Sequence, residues 1–200
     1  MTLKSGVPEN RPVKTFSPGA EETILLELVD PSGTTTGIAE KMSAHEPPGQ
    51  LHRAFSVFLF DSDGRMLLQR RALSKYHSPG VWSNACCGHP YPDEAPFHAA
   101  VRRTGQELGV APALLAEAGT VTYRHPDALS GLVEHEFNHL FVGLLEARPA
   151  PDPAEVADTA FVTAGQLDDR LASAPFSRWF DDVLRAARPT IRRLNPTGGW

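Results

Sequence analysis

Residues 88–110 read Gly88-His89-Pro90-Tyr91-Pro92-Asp93-Glu94-Ala95-Pro96-Phe97-His98-Ala99-Ala100-Val101-Arg102-Arg103-Thr104-Gly105-Gln106-Glu107-Leu108-Gly109-Val110. Proline punctuates the first part, and a helical pattern follows. Asp93 is a good N-cap, and Pro96 is tolerated in a first turn. Phe97, Ala100, Val101, Thr104 and Leu108 recur at helical spacing and are expected to face a core. Gly109 suits the left-handed position that closes a helix. Inside the helix Gly105 costs about 1 kcal/mol relative to alanine, so close approach by another element is expected there. Arg103 and Glu107, four residues apart, read as a helix-surface pair.

The context is a chain of 200 residues, which implies one domain with tails. We read a flexible N-terminal tail at 1–20, a domain at 21–190 and a C-terminal tail at 191–200. The first of these contains Pro8, Pro12 and Pro18 and lacks the apolar core of a secretory signal. No apolar run approaches the roughly 20 residues that cross a bilayer, so no membrane partner is expected and the location is expected to be cytoplasmic. Net charge is −5, which argues against coating nucleic acid, since phosphate contacts need a basic face. The two cysteines, Cys86 and Cys87, are adjacent. Neighbours cannot staple distant parts of a fold, so a disulfide scaffold is excluded.

Working outward from the helix, Ile24 to Val29 reads as a strand, closed by Asp30-Pro31-Ser32-Gly33 and returning at Gly37 to Met42. Ala54 to Phe60 and Met66 to Gln69 flank Asp61-Ser62-Asp63-Gly64, a hairpin signal. Further strands are expected at Gly119 to Tyr123, at Val133 to Glu146 and from Asp158. Helices are expected at Ala164 to Ala172 and at Ser177 to Ala186. Strands first, a central helix and terminal helices imply an α+β class, an α/β/α sandwich.

Two further stretches can carry chemistry. Asn84-Ala85-Cys86-Cys87-Gly88-His89-Pro90 places a thiol beside glycine and two residues from histidine. That thiol can be a nucleophile, an acid/base or a metal ligand, or simply a buried inert group. In Glu134-His135-Glu136, a strand would put both carboxylates on one face and His135 on the other. Such a pair repels itself unless a metal or a proton intervenes. The same region contains His135-Glu136-Phe137-Asn138-His139, a literal H-E-x-x-H zinc-protease pattern that requires a helix. Apolar positions 133, 137, 140, 141 and 144 also fit a helical stripe, so periodicity alone leaves that reading open.

Gly88-x5-Glu94-x7-Arg102, followed by Glu107, Gly109 and Val110, resembles the Nudix box, in which helix glutamates hold a divalent cation against a diphosphate. The copy is degenerate: Arg103 and Gln106 stand where glutamates are wanted, and Glu107 remains. A longer colinear series is similar to type I isopentenyl-diphosphate Δ-isomerases, which have the Nudix fold. It runs Glu40-Lys41, His45-x6-His52-Arg53-Ala54-Phe55-Ser56, Arg70-Arg71-Ala72-Leu73-Ser74-Lys75 and Pro79-Gly80-Val81-Trp82-Ser83-Asn84-Ala85-Cys86-Cys87-Gly88-His89-Pro90. After the degenerate box come Tyr123-Arg124, Glu134-His135-Glu136 and Pro175-Phe176-Ser177-Arg178-Trp179. The resemblance covers residues 21 to 187.

The resemblance implies a mixed sheet flanked by helices, and interconversion of isopentenyl and dimethylallyl diphosphate through a tertiary carbocation, a step of isoprenoid precursor biosynthesis. It makes Cys87 the acid/base group on one face of the substrate, with Glu136 and Tyr123 on the other, and Trp179 the aromatic face toward the cation. It makes His45, His52, His89, Glu134 and Glu136 ligands of one divalent metal, Mn²⁺ or Zn²⁺. Mg²⁺ is expected at Glu107 and the backbone carbonyl of Cys87. Lys41, Arg71, Lys75 and Arg103 then complement the diphosphate. The partner is a small isoprenoid diphosphate, and a monomer is expected. His77, His98, His125, His135 and His139 receive no role.

A Nudix pyrophosphohydrolase acting on a diphosphate is the alternative, disfavoured by the missing glutamates. The zinc protease and a non-catalytic Nudix-like binding module rank below it. Phe161 departs from the tryptophan of many family members, the tail has no counterpart, and the tandem thiols leave a choice that position resolves toward Cys87.

Overall fold

The computed structural model describes residues 23–75, 77–128 and 130–200; the expected tail at 1–20 lies outside the described residues. Strands β1 (Leu25–Val29) and β2 (Thr35–Glu40) pair antiparallel and lead into the short helix α1 (Lys41–His45). The strand expected through Met42 therefore stops at Glu40. Next come β3 (His52–Phe60), β4 (Met66–Arg71), β5 (Trp82–Ser83) and β6 (Cys86–Gly88), then helix α2 (Pro96–Leu108). A long ribbon of β7 (Leu114–Pro126) and β8 (Val133–Leu144) is followed by β9 (Val156–Val162), α3 (Ala164–Ser173) and α4 (Phe180–Leu194).

Strand β3 organises the sheet. Along one edge it pairs in parallel with β8, from His52 opposite Glu136 to Phe60 opposite Leu144. Its other edge is shared in turn by β1 at His52, β6 at residues 55–57 and β4 at residues 59–60. Central strands covered on both faces read as continuous apolar runs, and Ala54 to Phe60 is such a run. Phe55, Val57 and Leu59 join Ala99, Ala100 and Leu108 of α2 in one core. Phe58 and Phe60 point the other way and meet Val183, Ala187 and Ile191 of α4, with Leu167 of α3. The expected α/β/α sandwich is present, with a mixed sheet as its middle layer.

Several local readings are corrected. Asp93 is not the N-cap of α2: its φ is +65°, its N–H donates to Glu27 Oε1 at 2.9 Å, and extended Ala95 precedes Pro96. Pro96 supplies the helical φ without needing a donor there. On the helix, Ala99 and Glu107 are buried while Phe97 is 39% exposed, so the buried stripe is rotated from the expected one. Among the described residues, a Cβ placed on Gly105 would meet nothing within 4 Å, so none of their elements approaches it. Gly109 does close the helix, in the left-handed region at φ +65°. Helix α4 starts at Phe180 rather than Ser177 because residues 175–177 extend alongside β5: Trp82 N–H donates to Pro175 O, and Ser177 N–H to Trp82 O. It then continues past the expected boundary at 190 to Leu194. Trp200, in the expected tail, is buried edge-on against Phe60 and donates from Nε1 to Gly64 O at 2.9 Å.

Candidate active site and metal centre

Strand register brings the site together. The parallel pairing sets His52 beside Glu136, and the β7–β8 ladder sets Tyr123 opposite the same glutamate. On β6, Cys87 pairs with Ser56 of β3, so His89 follows next to the start of β3. Helix α1 ends at His45, whose Nε2 lies 3.5 Å from Glu134 Oε2. Because β8 is a strand, Glu134, Glu136 and Asn138 share one buried face.

The same geometry removes the zinc-protease reading. His135 and His139 lie on the opposite face, about 13 Å apart along a strand. His135 Nδ1 is 2.9 Å from Gly49 O and His139 Nε2 is 3.0 Å from Arg53 Nη1. The carboxylate of Glu136 points away from both.

Potential ligand atoms of His45, His52, His89, Glu134 and Glu136 all lie within 4.8 Å of one another. Nδ1 of His45 sits 2.7 Å from Lys41 O, and Nδ1 of His52 sits 2.8 Å from Gln50 O. Carbonyls there call for N–H at Nδ1, which leaves the Nε2 lone pairs directed inward. His52 Nε2 and His89 Nε2 face each other at 3.2 Å, and His89 Nε2 is 3.1 Å from Glu136 Oε1. Burial pushes His52 down to about 3 and His89 down to about 4, so both imidazoles stay neutral. Burial and the neighbouring Glu136 charge push Glu134 up to about 7. Two buried carboxylates that resist a shared negative charge, with neutral imidazoles aimed at them, fit a divalent cation.

Four of the five, His45, His89, Glu134 and Glu136, line a cavity of about 290 Å³. Lys41, Arg71, Lys75 and Arg103 line it, together with Glu107. Cys87 and Trp179 also line it. Burial pushes the Cys87 thiol up to about 12, so it holds its proton at neutral pH. Cys86 is fully buried, away from the cavity wall. Two expected residues stand behind the wall: His52, which is completely buried, and Tyr123, whose hydroxyl donates to Glu136 Oε2.

Residues without an expected role also take part in the site. His77 is largely buried and lines the cavity, with its ring stacked on Trp179 (centroids 6.0 Å apart) and Nδ1 3.1 Å from Glu134 Oε1. Glu155 lines the wall and accepts from Lys75 and Arg103. Asn138 Nδ2 donates to both Tyr123 Oη and Glu136 Oε2 at 3.0 Å. Extending the period-two face of Glu134 and Glu136 by one step identifies Asn138. His77 and Glu155 lie in irregular segments, where spacing carries no signal.

A family model for the NUDIX domain matches residues 50–180. The chain is 70% identical over 185 residues to an isopentenyl-diphosphate Delta-isomerase of Streptomyces griseus, covering 92% of this chain and 94% of that one. It is 46% identical over 169 residues to the protein of that name in Nocardia farcinica, covering 84% and 96%. Among solved structures, DR0079 of Deinococcus radiodurans aligns with a TM-score of 0.65 over 81% of this chain and 98% of its own, at 21% identity. A MutT protein of Methanosarcina mazei aligns with a TM-score of 0.57 over 70% and 94%, at 18% identity. These two likenesses concern the fold alone. With a NUDIX domain across most of its length and 70% identity to such an enzyme, the chain belongs to the isopentenyl-diphosphate Delta-isomerase family of NUDIX proteins.

Proposed function

We propose that the protein interconverts isopentenyl diphosphate and dimethylallyl diphosphate. The observation that carries this reading is one cavity lined both by cations and by a thiol, a carboxylate and an indole. Lys41, Arg71, Lys75 and Arg103 supply cationic donors for a diphosphate, and Cys87, Glu136 and Trp179 line the same space.

An unactivated alkene is a poor base, so a positioned acid must deliver the proton in step with a developing tertiary cation. The terminal methylene carbon gains a proton, and the CH₂ on the other side of the cationic carbon, between it and the CH₂–O group, loses one. Atoms therefore balance without any external reactant. Cys87 holds a proton as a thiol in the cavity wall. Glu136, which the family resemblance assigns to the opposite face of the substrate, has Tyr123 behind it to pass or steady a proton. The π face of Trp179 offsets the positive charge between them, and its burial keeps water from trapping the cation as an alcohol.

His45, His52, His89, Glu134 and Glu136 would hold Mn²⁺ or Zn²⁺, and Glu107 with the Cys87 carbonyl would hold Mg²⁺. When bound, these cations offset the charges of the buried carboxylates and of the diphosphate. Arg103 in place of a box glutamate supports binding over hydrolysis, since it adds a diphosphate partner and removes a metal ligand.

The test is incubation with isopentenyl diphosphate, Mg²⁺ and either Mn²⁺ or Zn²⁺, following dimethylallyl diphosphate. Isomerisation without phosphate release is expected. Phosphate release with no isomer would sink this reading in favour of a pyrophosphohydrolase.

A further inference from the structure

The segment before β9 is tied by its backbone to both cation-bearing walls of the cavity. Asp152 N–H donates to Glu107 O near the end of α2, at 2.9 Å. Glu155 O accepts from Ala72 N–H, at 3.0 Å, where the turn that carries Lys75 begins. Glu155 N–H closes the segment on itself by donating to Asp152 O at 3.0 Å. The Glu155 side chain repeats the bridge. Its Oε2 accepts from Lys75 Nζ and, at 3.2 Å, from Arg103 Nη2. Burial works against its charge, but the hydrogen bond from Lys75 and the charge of Arg103 keep the carboxylate ionised below the usual range.

One oxygen atom thus receives two cations of the cavity wall. Arg103 Nη2 also donates to Glu107 Oε1, so the guanidinium keeps a carboxylate partner without Glu155; Lys75 would lose the carboxylate that ties it to Arg103 and would swing on its flexible stem from an exposed turn. We propose that Glu155 is a positioning residue of the diphosphate clamp: it holds Lys75 and Arg103 together before substrate arrives, so the diphosphate meets donors already in place. This rests on the reading that the cavity takes a diphosphate. A lysine ammonium has three donors and a guanidinium five, so both cations keep donors for substrate while bonded to Glu155.

The carboxylate also repels a diphosphate, and that effect has the opposite sign. Lys75 and Arg103, bonded to both anions, offset that repulsion, so the loss of their ordering is expected to dominate. Loss of Glu155 therefore weakens binding.

Inorganic pyrophosphate with Mg²⁺ is the probe, titrated calorimetrically into the whole protein, with isopentenyl diphosphate turnover measured alongside. Glu155→Ala is expected to weaken pyrophosphate binding about tenfold and to raise KM by a similar factor, with kcat within about threefold, as loss of preorganisation predicts. Glu155→Gln, of equal size and with a neutral acceptor, should fall between wild type and alanine; it carries the test alone if the alanine variant does not fold. Metal content at the histidine–glutamate cluster should stay unchanged in both. Unchanged or tighter pyrophosphate binding overturns the assignment, as does a fall in kcat that exceeds the rise in KM. If wild type itself neither binds pyrophosphate nor turns over substrate, the diphosphate reading fails instead.

Discussion

Tyr123 and Glu136 face each other across the β7–β8 ladder, and the phenol donates its hydrogen bond to Glu136 Oε2. Glu136 reaches the cavity wall and Tyr123 does not, so the tyrosine can influence substrate only through the glutamate. Asn138 donates to both oxygens and locks their relative position.

Tyr123→Phe removes that hydroxyl while keeping the buried ring. A hydrogen bond to a charged group contributes about 1.5–3 kcal/mol, so kcat should fall about 10- to 100-fold with little change in KM. Steady-state formation of dimethylallyl diphosphate measures this. A variant with wild-type kcat would show that Glu136 needs no hydroxyl behind it.

The tandem thiols make a paired comparison. Cys87 opens on the cavity, while Cys86 is fully buried in the core against α2. Cys87→Ala should abolish turnover and leave the melting temperature near that of wild type. Cys86→Ala should keep most of the turnover and lose on the order of 1 kcal/mol of stability through a small core void. The reverse activity pattern would mean that Cys86 reacts.

Glu94 tests the degenerate box as structure rather than catalysis. Its carboxylate is gripped by Arg102 at 2.6 and 2.7 Å and also accepts from Tyr91 N–H at 2.9 Å. The Arg102 hydrogen bond lowers its pKa below 4.5. A lowered carboxylate pKa contributes stability above the unfolded value and loses it as pH falls through the folded one. Wild type should therefore exceed Glu94→Gln by on the order of 1 kcal/mol at pH 7. Denaturant unfolding should show that gap closing as pH drops below about 4.5, and a gap independent of pH would refute the ion-pair account.

The C-terminus provides a stability prediction. Ile191 is fully buried and Trp200 covers Phe60, so the domain needs residues beyond 190. Trp200→Ala should cost about 2–4 kcal/mol, toward the low side for an aromatic truncation because the ring sits at the rim of the core and is still 8% exposed. A chain ending at residue 190 should melt at a clearly lower temperature. Equal melting of the shortened chain would restore the boundary expected from sequence.

Legibility in sequence followed the range of the forces involved. Gly109 closing α2, the Asp61–Gly64 turn between β3 and β4 and the start of α3 at Ala164, which the structure shows held by a capping box, depend on neighbours within a few residues. Asp93 misled because a good capping residue was taken by a distant partner: Glu27 accepts its N–H across 66 positions. The start of α4 was displaced for a similar reason, since β5 captured residues 175–177 as extended chain.

The residue types and their order determined, without any structure, that residues 54–60 form a strand turning at Asp61–Gly64 and that the family's thiol, carboxylates and histidines are present. Periodicity could not decide whether Glu134 and His135 belong to a strand or a helix, because a run this apolar satisfies both patterns. Pairing with β3 and β7 decided it, since backbone hydrogen bonds to two neighbours hold β8 extended and point both glutamates inward. His77 and Glu155 entered the site for the same physical reason. Their segments have no regular period, and only contacts with elements remote in sequence set where they lie.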